Sequence, residues 1–416
     1  MATVTVPGSP SVNGGAPLTY TFNTGAGLTV AQQIAAALAS ASTLSVTSSS
    51  SGGAIAGPTT VSGTLQDLVL FGSNSSTVSA GFNVITNVAP GPATINAASG
   101  TAILSSTGGG LFVESGAATI AASGGSNVIS QSGAGAIQLE GGDGNDTVSG
   151  TGTGTIAGGG GANLLFAGGA NEYVFASGVN DTVSAGTGGS GDTVNVTGST
   201  NALVFGNANP MVVGGSGINE TVSAGTGAVT IFGGTSGVYF LNKSSAPTFV
   251  DEGGSNTVVG GTQQATLFGS AGGTINFFNQ AGSLGGGGAV FSAGSGNVTL
   301  NAAGASAPVV GWGGFGNDRM IGGSGSDTLI AGQGISSLTG GAGADLFAVV
   351  KGQSLGLVSI TDMTSADAVG IFGYDATATR AVISSATGST LTLADGTTIS
   401  FGNVLVSSVA SNIRVG

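Results

Sequence analysis

Residues 313–348 read as four consecutive nine-residue units, GGFGNDRMI, GGSGSDTLI, AGQGISSLT and GGAGADLFA. Three follow the pattern G-G-x-G-x-D-x-U-x, in which U is a large apolar residue. The third keeps the length but has Ala331 in place of the first Gly and Ser336 in place of the Asp. A tandem repeat of fixed period restricts the fold more than composition does, because every unit must accept the same neighbours. Within a unit, the glycine and small polar residues make a turn whose positive φ and close backbone approach only Gly tolerates cheaply. The residues after the Asp, as in Thr328-Leu329-Ile330, make a short strand with the U side chain turned inward. The period extends beyond these units. Apolar strand centres recur at Ile95, Ile103, Phe112, Ile120, Ile129, Leu139, Val148, Ile156, Leu165, Val174 and Val183 in steps of 8 to 10 residues. They continue through Val194, Val204, Val213, Val222, Ile231, Tyr239, Phe249, Val258, Leu267 and Ile275 in steps of 8 to 11. A degenerate form of the same roll is therefore expected through most of the chain. The rhythm breaks over 276–312, where a loop or a changed cross-section is expected.

The tandem units resemble the calcium-binding repeats-in-toxin (RTX) family, whose nonapeptides wind into a parallel β-roll. Two units make one coil of 18 residues, so side chains 18 apart stack. Asp327 and Asp345 have this spacing. Their shared edge offers two carboxylates with the backbone carbonyls of Gly323, Gly325, Gly341 and Gly343, an oxygen-only cage that suits Ca2+. Asp318 stands over Ser336 on the opposite edge, which predicts a weaker site there or none. A second set, GGDGNDTVS at 141–149, GGGGANLLF at 158–166 and ASGVNDTVS at 176–184, places Asp146, Asn163 and Asp181 at spacings of 17 and 18. It reads either as a second calcium ladder, with Glu172 and Asp192 on the other edge, or as a structural ladder in which each amide bonds the next. Farther along, Ala202, Met211, Val229 and Pro247 hold the ligand position. Most coils therefore bring no ligand side chain, and packing has to hold them. The plainer alternative throughout is a Gly/Asp turn with no ion.

Composition narrows the function. The 416 residues include 83 Gly, no Cys, no His, and 5 Lys plus Arg against 18 Asp plus Glu, a net charge of −13. A hydrophobic share of 40% argues for many short packed strands rather than a disordered Gly-rich chain. Nucleic acid is excluded as a partner, because no basic patch can neutralise phosphates. Disulfides and thiol chemistry are excluded too. A β-helical polysaccharide-active enzyme needs paired carboxylates, or Asp with Lys or Arg, along one groove. Lys243, Arg319, Lys351, Arg380 and Arg414 are scattered, and the acidic pair Asp251 and Glu252 reads as a solvated turn. No enzymatic activity is expected.

The flanks differ from the repeats. Residues 1–66 combine a strand pattern, LTYTF at 18–22, with a helix starting at Thr29, where Thr29 and Gln32 have capping-box spacing. Val30, Ile34, Ala37, Leu38 and Ala41 share its apolar face. This predicts a small α/β cap or assembly module, followed by a glycine-rich solenoid over 67–348. Residues 349–416 alternate apolar and polar as antiparallel or flanking strands do. They resemble the segment that closes RTX domains, notably at Thr361-Asp362 and in LADGT at 393–397. The resemblance implies a C-terminal cap carrying an export signal read by a type I exporter. MATVTVPGSP has neither a positive n-region nor an apolar core, so no N-terminal signal peptide is expected, and no apolar run is long enough for a spanning helix.

The fold expected is thus all-β, a parallel β-roll or β-helix solenoid with a small N-terminal α/β module and a β-rich C-terminal cap. The function expected is that of a secreted calcium-binding structural protein that self-assembles at the cell surface or beyond, in a surface layer, filament or biofilm matrix. Its partners would be copies of itself. The alternative is an extracellular adhesin, or an ice- or carbohydrate-binding rod, with cell-surface polysaccharide as partner. Thr recurs just before U at positions such as Thr147, Thr182, Thr230, Thr257 and Thr266, but Leu, Tyr and Val interrupt the column, which favours the structural role.

Overall fold

The computed structural model describes residues 2–416 apart from 7–15, 23–24, 42–43, 50–52, 56, 58–63, 72–74, 89–91, 106–108, 186–190, 207–210, 216, 243–245, 271 and 280–286. The chain divides into two units, Met1–Glu220 and Thr221–Gly416.

In the first unit, short strands alternate between two parallel sheets, so each strand pairs with the strand two before it. Ile103, Ile120, Leu139, Ile156, Val174 and Val194 stand in register in one sheet. Ile95, Phe112, Ile129, Val148, Leu165, Val183 and Val204 do so in the other. All are fully buried. Each coil thus contributes two inward columns at the ~4.8 Å spacing of hydrogen-bonded strands, and these are the positions marked by the sequence period. Parallel pairing begins before the expected boundary at 67. Leu44–Ser49 already pairs with Leu65–Leu70, and Gly53–Ile55 with Ser75–Val78.

The N-terminal segment forms a layer on the flank of this unit. Strand β1 (Ala2–Val6) pairs antiparallel with β2 (Leu18–Phe22), and helix α1 spans Gly25–Ser40. The helix starts four residues before Thr29, which therefore lies inside it and is no cap. Its buried face is Val30, Ala31, Ile34, Ala35 and Leu38, so Ala31 and Ala35 replace the expected Ala37, which is exposed, and Ala41, which lies past the end of the helix. That face packs with Val4 and Val6 against Val69, Val84, Leu104 and Ala121. These four alternate with inward residues such as Leu68, Ile85, Ile103 and Ile120, so they lie on the outer surface of one sheet. The helix covers an apolar stripe along several coils.

In the second unit, Ile231, Phe249, Leu267 and Phe291 stack in one sheet, followed by Gly311, Leu329, Phe347 and Val369. Gly311 is inward because the Met320 sulfur and Leu329 fill the space that its side chain would take. In the other sheet the inward residue is Phe240, paired with Val258, and the expected Tyr239 is 45% exposed. Ile275 and Phe277, two apart on the strand Gly273–Asn279, share its inward face and are both fully buried, and the pairing of this strand with the next shifts register between Asn276 and Phe278. This shift lies at the start of the stretch where the rhythm was expected to break; part of that stretch, 280–286, lies outside the described residues. Past residue 349 the ladders continue. Leu357–Ile360 and Ala368–Phe372 extend them in parallel. Thr398–Phe401 and Ile413–Val415 then add one parallel strand to each. Antiparallel pairing is confined here to Thr390–Thr392 on Thr398–Phe401. The segment also holds α2 (Ala376–Ser385), capped by Asp375 through Ala378 N–H, and α3 (Val406–Val409).

Candidate metal centre

Asp327 and Asp345 occupy equivalent turns, since the residues that follow them, Thr328 and Leu346, are register partners. Asp367 joins the same ladder through the pairing of Leu346 with Ala368. The ladder is bonded in one sense. Val309 N donates to Asp327 Oδ1 at 2.7 Å, Asp327 N to Asp345 Oδ1 at 2.8 Å, and Asp345 N to Asp367 Oδ1 at 3.0 Å. One oxygen of each carboxylate thus ties its coil to the one before.

The second oxygens differ. Asp327 Oδ2 accepts from Gly323 N at 2.7 Å, and Asp367 Oδ2 from Thr364 N at 2.7 Å and Thr364 Oγ1 at 2.8 Å. Asp345 Oδ2 is buried with no partner. Gly341 N, which stands where Gly323 N stands one coil earlier, donates instead to Asp362 Oδ2 at 2.8 Å, and Gly340 N donates to Asp362 Oδ1 at 2.9 Å. Burial, with the negative charges of Asp327, Asp367 and Asp362, pushes Asp345 up to about 6 against the Asp327 N–H bond. Burial likewise raises Asp327 and Asp318. A buried carboxylate oxygen surrounded by further carboxylates lacks a positive partner.

The backbone shape fits a cation. A Cβ on Gly322 would collide with both Asp327 Oδ2 and the carbonyl of Gly340, and a Cβ on Gly340 would collide with Asp345 Oδ2. A carboxylate of one coil and a carbonyl of the next therefore converge on space that only glycine leaves open. Gly341 and Gly343 have φ of 96° and 125°, and their missing side chains make room for the carbonyls of Gly323 and Gly325. Among the described residues, no three His, Cys, Asp or Glu side chains form a metal site by themselves. An ion held in these turns would take carboxylate and carbonyl donors together, all oxygen, which is the chemistry of Ca2+. On the opposite edge Asp318 stands over Ser336 as the spacing predicts. Both Asp318 oxygens accept backbone N–H groups, from Val298 at 3.1 Å and Gly314 at 2.7 Å.

The first unit has its own ladder, made of Asn127, Asp146, Asn163 and Asp181. Asp146 Oδ1 accepts from Asn127 N at 2.6 Å and from its Nδ2 at 3.0 Å, while Asp146 N donates to Asn163 Oδ1 at 2.9 Å. Asp181 Oδ1 accepts from Asn163 N at 2.8 Å and Nδ2 at 2.9 Å, and its Oδ2 accepts from Gly178 N at 2.8 Å. Asp146 Oδ2 is buried without a partner, and burial pushes Asp146 up to about 7. The spacing had located three members. Asn127 was missed because its turn, ASGGSN, lacks both Asp and the leading Gly pair.

Other buried acids carry no sequence signal. Glu172 Oε2 accepts from Gly169 N and Asp192 Oδ1 from Glu172 N; their second oxygens have no partner. Asp251, expected in a solvated turn, is fully buried. Its Oδ1 accepts from Gly253 N at 2.9 Å and Asn256 Nδ2 at 2.7 Å.

Residues 133–152, 148–183, 214–236, 312–329 and 321–348 match the family model of the RTX calcium-binding nonapeptide repeat (4 copies). Repeats of this family bind calcium. The matched segments contain Asp146, Asn163, Asp181, Asp318, Asp327 and Asp345, while Asn127, Asp362 and Asp367 lie outside them. Comparison with curated proteins finds no match to the chain.

Proposed function

We propose, from the premise that this chain is an RTX calcium-binding repeat protein, that it is an exported structural protein that folds on calcium and assembles with copies of itself outside the cell. The observation that carries this is the unpartnered Asp345 Oδ2, buried among Asp327, Asp362 and Asp367 in a turn opened by glycines. Asp345 with neighbouring glycine carbonyls would hold the ion, and Asp327 and Asp362, whose oxygens already accept N–H groups, would add negative charge beside it. The ion would supply positive charge that joins successive coils, and it stabilises the folded form by mass action. Proteins with these repeats are typically secreted, and no described helix is long and apolar enough to cross a membrane. Low cytoplasmic calcium would keep the acidic turns repelling one another until export. Far-UV circular dichroism and melting of the chelated protein test this: β signal and melting temperature should rise on adding millimolar Ca2+. No change in either would overturn the proposal.

A second role, carbohydrate binding, is favoured by one feature of the second unit. Phe232, Val250, Phe268, Ser292 and Trp312 stack in register on an outer sheet surface. The three aromatic residues are about 40% exposed. They recur every second coil, about 10 Å apart, so their ring faces could stack on alternate sugars of an extended glycan lying along the column. Retention on insoluble glycan that is lost in Trp312→Ala would put this role ahead of assembly.

A further inference from the structure

We infer that in the Asn127 and Asn163 turns of the first unit an asparagine amide takes the place of the metal, so that these two turns close without calcium although the Asn163 turn lies in a stretch that matches the calcium-binding repeat. The proposal rests on the calcium reading of the 313–367 turns and exempts these two turns from it.

The amide orientation is set by the ladder. Asn163 Oδ1 takes the N–H of Asp146, as Asp345 Oδ1 takes that of Asp327. Its Nδ2 is thereby aimed at the turn, donating to Asp181 Oδ1 at 2.9 Å and to the carbonyls of Gly160 at 3.1 Å and Gly159 at 3.4 Å. A Cβ on Gly158 would lie 2.6 Å from that Nδ2. On Gly322 and Gly340, the corresponding glycines of the other ladder, the atom it would meet is Asp327 Oδ2 or Asp345 Oδ2. The Gly158 place thus holds a donor where Gly322 and Gly340 meet an acceptor, whereas Gly141, between the two asparagines, meets Asp146 Oδ2, so the inference is confined to the Asn127 and Asn163 turns. Glycine carbonyls and the next carboxylate surround the donor. An acceptor there needs a cation to bridge it to its neighbours, whereas an NH2 group bonds them directly.

Asn127 repeats the arrangement. Its Nδ2 donates to Gly141 O at 2.8 Å, Asp146 Oδ1 at 3.0 Å, Gly125 O at 3.1 Å and Gly124 O at 3.4 Å. Its Oδ1 has no partner. A third case occurs in the second unit. Asn256 Oδ1 takes Val238 N at 2.9 Å, while its Nδ2 donates to Asp251 Oδ1 at 2.7 Å and Gly253 O at 3.1 Å. Asp181 accepts N–H donors on both oxygens.

Two reciprocal substitutions in the full chain test this, with calorimetric calcium titration, melting, and hydrogen exchange in chelator and in millimolar Ca2+. Asn163→Asp should add one bound calcium per chain, and its melting temperature should fall in chelator and recover with calcium. Asp345→Asn should lose a calcium yet melt in chelator no lower than the unsubstituted protein, whereas Asp345→Ala should melt lower. In the unsubstituted protein, exchange protection over 122–127 and 158–163 should be the same with and without calcium, while protection over 313–367 falls about tenfold or more on chelation. Calcium-dependent protection over 122–127 and 158–163, or Asn163→Asp with no added calcium, would overturn the proposal. A protein in which none of these stretches responds would sink the calcium reading of 313–367, and Asn163→Asp would then decide the asparagine inference alone.

Discussion

At the scale of single residues, the two edges of the 313–348 turns are unequal for a reason visible atom by atom. Asp318 has both oxygens satisfied by N–H groups, and Asp345 has one satisfied and one left over. Calcium affinity should therefore fall by about tenfold or more in Asp345→Ala, the scale of losing one charged ligand, and change little in Asp318→Ala. Calorimetric titration of the two variants measures the difference, and equal losses would mean that the edges are equivalent. Gly340→Ala should act like Asp345→Ala, because the new methyl would strike Asp345 Oδ2. The spacing of 18 was enough to pair Asp327 with Asp345. The orphaned oxygen was not legible, because it depends on Asp362, 17 residues beyond Asp345, turning back to take the two N–H groups of Gly340 and Gly341. A lone Asp in a closing segment carries no such signal.

Buried acids away from these turns give the pH response its sign. Burial pushes Asp67 up to about 7, against a hydrogen bond from Thr86, and Glu114 up to about 8, against the backbone bonds of Thr101 and Gly100. Glu140, with no hydrogen-bond partner for either oxygen, is raised to about 8 by burial alone. In each case the folded form keeps a proton that the unfolded chain releases near pH 4. The stability these groups contribute is full below that pH and is lost as pH rises towards 8, with no further loss above it. Denaturant midpoints in chelator should therefore fall between pH 5 and pH 8, and Glu140→Gln should flatten the fall. A midpoint that rises over this interval would contradict the burial of these carboxyls.

At the scale of elements, the nine-residue period carried the inward columns from Ile95 to Val213 without error, because strand, turn and strand have nearly constant lengths there. It slipped at Tyr239, beside the inward Phe240, since periodicity cannot arbitrate between adjacent apolar residues. Helix α2 was hidden for a related reason. ATATRAVISS is rich in β-branched residues and alternates like a strand, and only Asp375 at its start marks a helix cap. The N-terminal helix was legible as a helix, but its docking was not. The outward residues Val69, Val84, Leu104 and Ala121 that receive it lie on four different strands. Leu38 is 2% exposed in this contact, so Leu38→Ala should cost about 2–5 kcal/mol of local stability. The cost should appear as faster exchange and proteolysis of the N-terminal layer. Unchanged exchange there would mean that the helix is not seated on this stripe.

At the scale of the whole molecule, charge and apolar surface act in opposite directions. Eighteen acidic residues against five basic ones give a net charge of −13, which keeps copies apart. The outward column of Phe232, Val250, Phe268 and Trp312 in the second unit has no charged member to discourage association. Calcium held in the acidic turns removes negative charge without covering that column, so it should tip the balance towards assembly. Simple salt screens charge over about 8 Å at physiological strength but supplies no bound ion, so it should be the weaker trigger. Light scattering and electron microscopy should show ordered oligomers at millimolar Ca2+, little assembly in chelator at matched ionic strength, and reduced assembly in Phe268→Ser with Trp312→Ser. Because the double substitution lies on an outer surface and leaves Asp327, Asp345 and Asp362 in place, it should retain calcium-dependent folding. A monodisperse monomer in calcium, with folding intact, would separate the two roles: calcium would then serve the fold alone, and the aromatic column would be left for a glycan.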